Sequence, residues 1–393
     1  MDGRLRVGHD GDIDGLWEVF RLGFGAPEAE REQWVRGLVP ERALIIDGDR
    51  GEVAAAAHIR PFRQWFGGRA VPLAGYSPVA VLPEYRGRGW AKAVTAGHYA
   101  DLRERGEVIA GLYPASVAMY RSVGFELAGS YVRRRVPAAH LAALAPGAAV
   151  RRGTPADLPA VAACYAAHAA RHDGPLDRDE GWWRRRLPAD LADVVLYVVD
   201  GADGLDGYAA YRHVPARGPY DYAVQVSEVI ADDAEVARGL WRVVGSSGSQ
   251  APDVELIGPA EDPVFLLLGA ADPVAVRTEI RWMLRLVDAA GAVAARGWPL
   301  GRVGRVDLEI RDEHAPWNAG RWVLEIADGE GRLTRGGVGT VGCTIAALSS
   351  WWAGYASARR LAEAGGIDTS DPRALALLDG LGASAPPVLT DFY

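Results

Sequence analysis

Val79-Ala-Val-Leu-Pro-Glu-Tyr-Arg-Gly-Arg-Gly-Trp-Ala91 reads as an apolar strand broken at Pro83, then a glycine turn, then the opening of a helix. Amides at a helix start point outward unpaired, and the helix dipole adds positive potential there. Gly87 and Gly89, with the small Ala91, let the backbone approach an anion closely, and Arg86 and Arg88 add charge. A lone glycine pair would be a solvated basic turn. The coincidence of strand, loop and helix predicts phosphate binding here instead.

Upstream of this stretch, Ile13, Leu16, Trp17, Phe20 and Phe24 recur at the spacing of one buried helix face over residues 12–24. Strand-like runs follow at Ala43–Asp47, Val53–Ile59 and Ala74–Leu82, parted by Asp47-Gly48-Asp49 and Gly67-Gly68. Downstream, the helix opened by the loop is expected to reach Arg105, followed by a short strand at Val108–Tyr113. A further helix starts near Ser116 and stops at Gly124, and Val132–Val136 closes the set. Residues 1–138 are therefore expected to form one mixed α/β domain.

After an Ala/Pro-rich join at Pro137–Pro146, the order repeats over residues 148–278. A helix from Thr154 through Ala169 precedes strands at Val194–Asp200, Gly207–His213 and Tyr222–Ile230. A helix at Ala234–Val244 and strands at Val254–Ile257 and Val264–Leu268 complete it. No arginine- and glycine-rich loop precedes its helix, which marks a degenerate copy of the first domain. Residues 279–393 change pattern: strands at Trp282–Val287, Arg305–Ile310 and Arg321–Ile326 come before helices at Thr344–Trp352, Ser357–Ala364 and Arg373–Leu381. Pro386-Pro387 and an extended tail to Tyr393 end this α+β unit.

Three domains suit 393 residues, and a composition 49% hydrophobic and 24% charged excludes a disordered chain. No apolar run reaches the length of a membrane span, and the start lacks the apolar core of a secretory signal, so a cytoplasmic protein is expected. Cys164 and Cys343 belong to no cysteine cluster and read as buried thiols. A net charge of −8 argues against nucleic acid, so Trp182-Trp183-Arg184-Arg185-Arg186 and Arg133-Arg134-Arg135 read as interface or surface segments. His168 and His172, four apart, have no third ligand nearby in sequence, and no metal is expected.

Ala115-Ser-Val-Ala-Met-Tyr-Arg-Ser-Val-Gly-Phe125 is the second informative stretch. Taken alone it leaves Tyr120 open between a packed core tyrosine and a proton donor. With the loop it resembles the GNAT acetyltransferase superfamily, whose Arg/Gln-x-x-Gly-x-Gly/Ala loop and Tyr-x-x-x-Gly-Phe helix it matches. The three-part organisation is similar to the enhanced intracellular survival (Eis) acetyltransferases, as are Trp322-Val-Leu-Glu-Ile326, Leu348-Ser-Ser-Trp-Trp-Ala-Gly354 and Ala376-Leu-Leu-Asp379.

That resemblance implies a mixed α/β fold of tandem GNAT domains, the second degenerate, followed by a sterol-carrier-protein-like α+β domain. It implies acetyl-CoA as cosubstrate, its pyrophosphate over Arg86, Gly87, Arg88, Gly89, Trp90 and Ala91. Pantetheine would run along Val79, Ala80 and Val81, with a free amide near Val81 facing the thioester carbonyl. Ser116 matches a position near the cofactor sulfur, and Tyr120 matches the general acid toward the departing thiolate. The terminal carboxylate, here on Tyr393, is implied as the base. A docked tail has partial support from the residues: Pro386-Pro387 stiffen the exit and Phe392-Tyr393 are apolar for a free end, against a frayed terminus.

The resemblance further implies small-molecule amine acceptors, aminoglycoside-like polyamines modified at one or several positions, and hence antibiotic resistance. Phe24 and Trp34, beside Pro27-Glu-Ala-Glu-Arg-Glu32, with Trp65, Asp391 and Phe392, are the candidate pocket residues; each is as compatible with packing as with substrate contact. A homo-oligomer, a hexamer in the family, is also implied. Two rivals remain: the same chemistry on a polyamine, protein lysine or biosynthetic amine, and a non-enzymatic lipid-carrier or assembly protein.

Overall fold

The computed structural model describes residues 4–215, 222–269 and 274–393. The chain forms two compact units: Met1–Ala128 with Trp282–Pro386 and Phe392–Tyr393, and Gly129–Arg281 with Pro387–Asp391. The boundary expected at 278/279 falls inside the strand Ala275–Leu286. Among the described residues, no helix is long and apolar enough to cross a membrane.

In the first unit, helix Ile13–Phe24 buries Leu16, Val19 and Phe20 completely. Two glycines on this helix bring it hard against the sheet. A β-carbon on Gly15 or Gly23 would lie 2.6 Å from Val53 Cγ2 or Ala80 Cβ, respectively. The sheet runs in the order Leu5–Val7, Ala43–Asp47, Val53–Phe66, Arg69–Val81, Ile109–Leu112, then the 283–286 end of Ala275–Leu286.

The central hairpin is longer than its apolar alternation suggests. Val53–Phe66 and Arg69–Val81 stay paired out to Phe66↔Arg69, turning at Gly67 and Gly68, both with positive φ. Arg60, Pro61 and Arg63 interrupt the apolar pattern without interrupting the ladder, so periodicity ends at Ile59 while the pairing continues. The helix expected through Arg105 is two helices, Trp90–Ala96 and Tyr99–Glu104. At the break, Gly97 has no room for a β-carbon beside Leu5, and Thr95 Oγ1 donates back to Ala91 O at 2.7 Å. The unit's second sheet orders Glu330–Arg335, Gly320–Ala327, Gly304–Arg311, Val341–Thr344 and Ile367–Asp368.

The second unit repeats the plan of the first. Helix Leu158–Ala169 follows a Thr154/Asp157 capping box. The sheet then orders Glu126–Pro137, Asp253–Gly258, Tyr222–Ala231, Gly204–Pro215, Val195–Gly201 and Arg151–Arg152. The strand expected at Val264–Leu268 is instead a helical turn, Val264–Leu267. Pro263 starts it with helical backbone angles, and Asp262 Oδ1 accepts the Val264 amide at 3.0 Å. The tryptophan–arginine run at 182–186 forms helix Glu180–Arg186, capped by Asp179.

Candidate functional site

Strand Arg69–Val81 pairs in parallel with Ile109–Leu112 only through Leu73↔Ile109, Ala74↔Ala110 and Gly75↔Gly111, then runs on past that partner. On its other side the ladder slips between Ala57↔Val79 and Ile59↔Tyr76, setting Ser77 and Pro78 against the single residue His58. The Leu82 amide donates to Ala54 O at 2.8 Å. Alternation along an antiparallel ladder therefore turns the amides of Val81 and Val79 to the opposite, parted edge, while Ala80 faces the ladder.

Past Pro83 the chain turns through Gly87 and Gly89, with φ of +80° and +79°. A β-carbon at either would meet nothing, so glycine serves conformation there rather than space. Gly89 is the N-cap of helix Trp90–Ala96 and supplies no side chain to its amides. Trp90 is buried and stacks on Tyr85 with ring centroids 5.0 Å apart; Arg88 lies 4.8 Å above the Tyr85 ring. Arg86 Nε donates to Val81 O at 3.3 Å. Two exposed guanidiniums thus flank an uncapped helix start and the open strand edge. The matching helix of the second unit, Ala234–Gly245, differs: Asp233 caps it with its own carboxylate, accepting from the Glu235 and Val236 amides. That helix start already holds an anion, its own.

Ser116 caps helix Val117–Arg121, its Oγ accepting the Met119 amide at 3.4 Å. Tyr120 is 6% exposed, edge-on to Phe125, in one apolar cluster with Ala80; Val79 and Val81 pack against that cluster. Burial pushes the Tyr120 phenol up, so it stays protonated at neutral pH. The turn after this helix is fixed from below. Val123 O accepts from Tyr99 Oη at 2.7 Å and from Arg285 Nη1 at 2.9 Å, and Arg285 is paired with Asp312, both fully buried. Gly124, at φ +88°, leaves the space that the guanidinium occupies.

The terminal residues divide. Tyr393 lies 4.8 Å from the Phe62 ring and 5.8 Å from Tyr113, and Phe392 sits 4.6 Å from Tyr113 with 63% exposure. Asp391 is the correction. It is 1% exposed, takes both Arg178 Nε and Nη2, at 3.0 and 2.9 Å, and accepts Trp182 Nε1 at 3.1 Å. A carboxylate so engaged is an anchor, and it offers nothing to a substrate ammonium. Of the other pocket candidates, Phe24 is exposed and lies 5.9 Å from half-buried Trp34, which lies 6.1 Å from Trp17. Glu28 accepts Trp17 Nε1 at 3.2 Å and Glu30 accepts Trp34 Nε1 at 3.3 Å, holding carboxylates beside the rings. Trp65 is half-buried on Val53–Phe66.

The sequence places Trp17 only on a buried helix face and Tyr113 only at a strand end, passes over Phe62, and shows no third partner for the histidine pair. Asp232 joins His168 and His172: its Oδ1 meets His168 Nδ1 at 2.7 Å, and its other oxygen pairs with Arg171. Both oxygens are thus taken by protein cations or imidazole. The cysteines are both free.

Comparison with known proteins matches residues 4–128 and 174–286 each to an acetyltransferase (GNAT) domain family, and 289–390 to a sterol carrier protein domain. An uncharacterized N-acetyltransferase of Streptomyces griseus is 31% identical, covering 90% of this chain and 94% of the relative. The N-acetyltransferase Eis of Mycobacterium tuberculosis is 29% identical, covering 91% and 90%. Among solved structures, a GCN5-related N-acetyltransferase from Anabaena variabilis superposes with a TM-score of 0.91 at 26% identity, covering 99% of this chain and 100% of that one. One from Kribbella flavida does so at 0.87 and 34%, covering 100% and 98%.

Proposed function

The chain belongs to the Eis-like GNAT N-acetyltransferases, and from that premise we propose that it transfers acetyl from acetyl-CoA to the amines of aminoglycoside-like polycations. The enzyme class is that of its relatives, N-acetyltransferase, and GNAT acetyltransferases use acetyl-CoA. One observation carries the placement of the cofactor. The amide edge of Val79 and Val81 stands open past Gly75, directly ahead of a helix start at Gly89 that no side chain caps. Those residues fit a pantetheine and a diphosphate, respectively.

In this reading the Tyr393 α-carboxylate takes a proton from the substrate ammonium, directly or through a water. The freed amine attacks the thioester carbonyl, whose developing oxyanion accepts the Val81 amide. As the C–S bond breaks, the attacking nitrogen gives up its second proton to solvent and the Tyr120 phenol donates its own to the thiolate; Tyr120 is then reprotonated, and the Tyr393 carboxyl deprotonated, by solvent. The acceptor class is supported by the Phe24–Trp34–Trp17 cluster with Glu28 and Glu30 on its indoles. Aromatic faces and carboxylates together suit ammonium groups on a ring scaffold. The helix that ends at Phe24 packs on Ala80 through Gly23, which sets this cluster beside the cofactor strand.

Thiol release measured across an aminoglycoside, a linear polyamine, a lysine peptide and a simple monoamine tests the acceptor. The aminoglycoside is expected to give the highest kcat/KM; equal values for the monoamine would refute a polycation pocket. Arg88→Ala is expected to raise the KM for acetyl-CoA about tenfold to a hundredfold with kcat nearly unchanged, the loss of one charge-assisted contact. A short tag fused after Tyr393 removes the terminal carboxylate and is expected to lower kcat by about a hundredfold or more. Full activity of the tagged chain would remove that carboxylate from the reaction.

A further inference from the structure

Two glycines face each other where the central strands part, and their backbone does not explain them. Gly75 and Gly111 form the last pair of the parallel ladder, and neither adopts a positive φ. Glycine inside a strand weakens it and leaves nothing to pack, so a facing pair calls for something that needs the space. At Gly111 that something is Tyr393, and at Gly75 it is the Phe62 ring together with Tyr393. A β-carbon on Gly111 would lie 2.8 Å from Tyr393 Oη, and one on Gly75 would lie 2.9 Å from Tyr393 Cε2 and 2.6 Å from the Phe62 ring. Phe62 and Tyr113 contact the same ring from its sides. Tyr393 Oη is buried and lacks a hydrogen-bond partner among the described residues, so shape rather than hydrogen bonding holds the ring.

We infer that Gly75 and Gly111 are positioning residues, a platform that seats the Tyr393 ring at the fork of the central strands and thereby fixes the chain's terminal carboxylate. This rests on the base role proposed for that carboxylate. A side chain on Gly111 lifts the ring directly, and one on Gly75 does so together with Phe62, which it meets first; either displaces the carboxylate, while the open amide edge at Val79 and Val81 stays intact.

The test is a double-mutant cycle on the full chain. Gly111→Ala in the wild type is expected to lower kcat by about a hundredfold, as a base displaced by an ångström does, with little change in the KM for acetyl-CoA. In a Tyr393→Phe background, whose ring lacks the clashing hydroxyl, the same change should cost less than about threefold relative to that parent. Gly75→Ala, which meets ring carbon rather than hydroxyl, should not be rescued by Tyr393→Phe. Release of the terminal tyrosine by carboxypeptidase gives a readout independent of catalysis: slow in the wild type, at least about tenfold faster in Gly111→Ala. An equal cost of Gly111→Ala in both backgrounds, or unchanged carboxypeptidase release, overturns the seat. Full activity of the tagged chain with fast release in Gly111→Ala instead overturns the base role and keeps the seat.

Discussion

Replacing Tyr120 by phenylalanine is expected to lower kcat by about two to four orders of magnitude, the usual worth of a positioned proton donor, while the KM for acetyl-CoA moves little. The physical basis is narrow. The ring is buried against Phe125, and phenylalanine refills that space, so the variant should fold as the wild type does. Only the proton is lost. A tyrosine kept for packing would predict the reverse, a fully active variant of equal or greater stability. Measuring kcat and thermal unfolding on the same preparation separates the two roles.

Replacing Arg178 by alanine is expected to destabilise the second unit by about 3–5 kcal/mol, the cost of stripping a buried charge pair of one partner. Its guanidinium, 1% exposed, binds Glu228 at 2.8 Å and Asp391 at 2.9 Å, and lies 3.7 Å over the Tyr165 ring. Tyr208 Oη adds a 2.7 Å hydrogen bond to Glu228. Removing the cation leaves two buried carboxylates with Arg186 alone, at 3.2 and 3.8 Å. Native domains have only about 5–15 kcal/mol in hand, so the loss should be plain in denaturant unfolding. Arg178→Lys should fall between, since a point charge cannot span both carboxylates as the planar fork does.

The same cluster sets an acid limit. Burial alone would push the Glu228 carboxyl up, but the Arg178 and Arg186 guanidiniums outweigh it and hold it well below the usual carboxylate range. A depressed carboxyl contributes its full stability above the unfolded pKa of about 4.3 and loses it as pH falls further. Wild-type stability should therefore be flat near neutrality and decline below about pH 4. Asp391 is the last residue of the second unit, and Phe392 and Tyr393 belong to the first. Its anchoring thus lies two residues before Tyr393, for which the base role is proposed.

The local structure around the candidate site was legible where it lies close together in sequence. Arg86 through Ala91 shows its turn and helix start in consecutive residues, and helix Ile13–Phe24 shows its buried face at regular spacing. Ser116, Tyr120 and Gly124 fall within one helix and its exit. What was not legible depends on pairs far apart in the chain. Phe62 and Tyr113 become the walls around Tyr393 only once a hairpin and a parallel strand bring them together. Asp391 looked available because it stands beside an apolar terminus, and no spacing rule points to Arg178 as its partner. Asp232 joins His168 and His172 only through the fold. Val264–Leu268 is apolar enough for either a strand or a helix, and Asp262 and Pro263 decide for the helix.

The claim beneath the rest is that the loop at Arg86–Ala91 grips a diphosphate and so places the acyl group beside Tyr120. Calorimetric titration of the wild type and an Arg86→Ala/Arg88→Ala variant, each with acetyl-CoA and with acetyl-pantetheine, tests it directly. Acetyl-pantetheine keeps the strand contacts but lacks the diphosphate. The account predicts that the wild type binds acetyl-CoA far more tightly than acetyl-pantetheine, and that the double variant loses most of that advantage while binding acetyl-pantetheine unchanged. Equal affinity of the wild type for both ligands would contradict it.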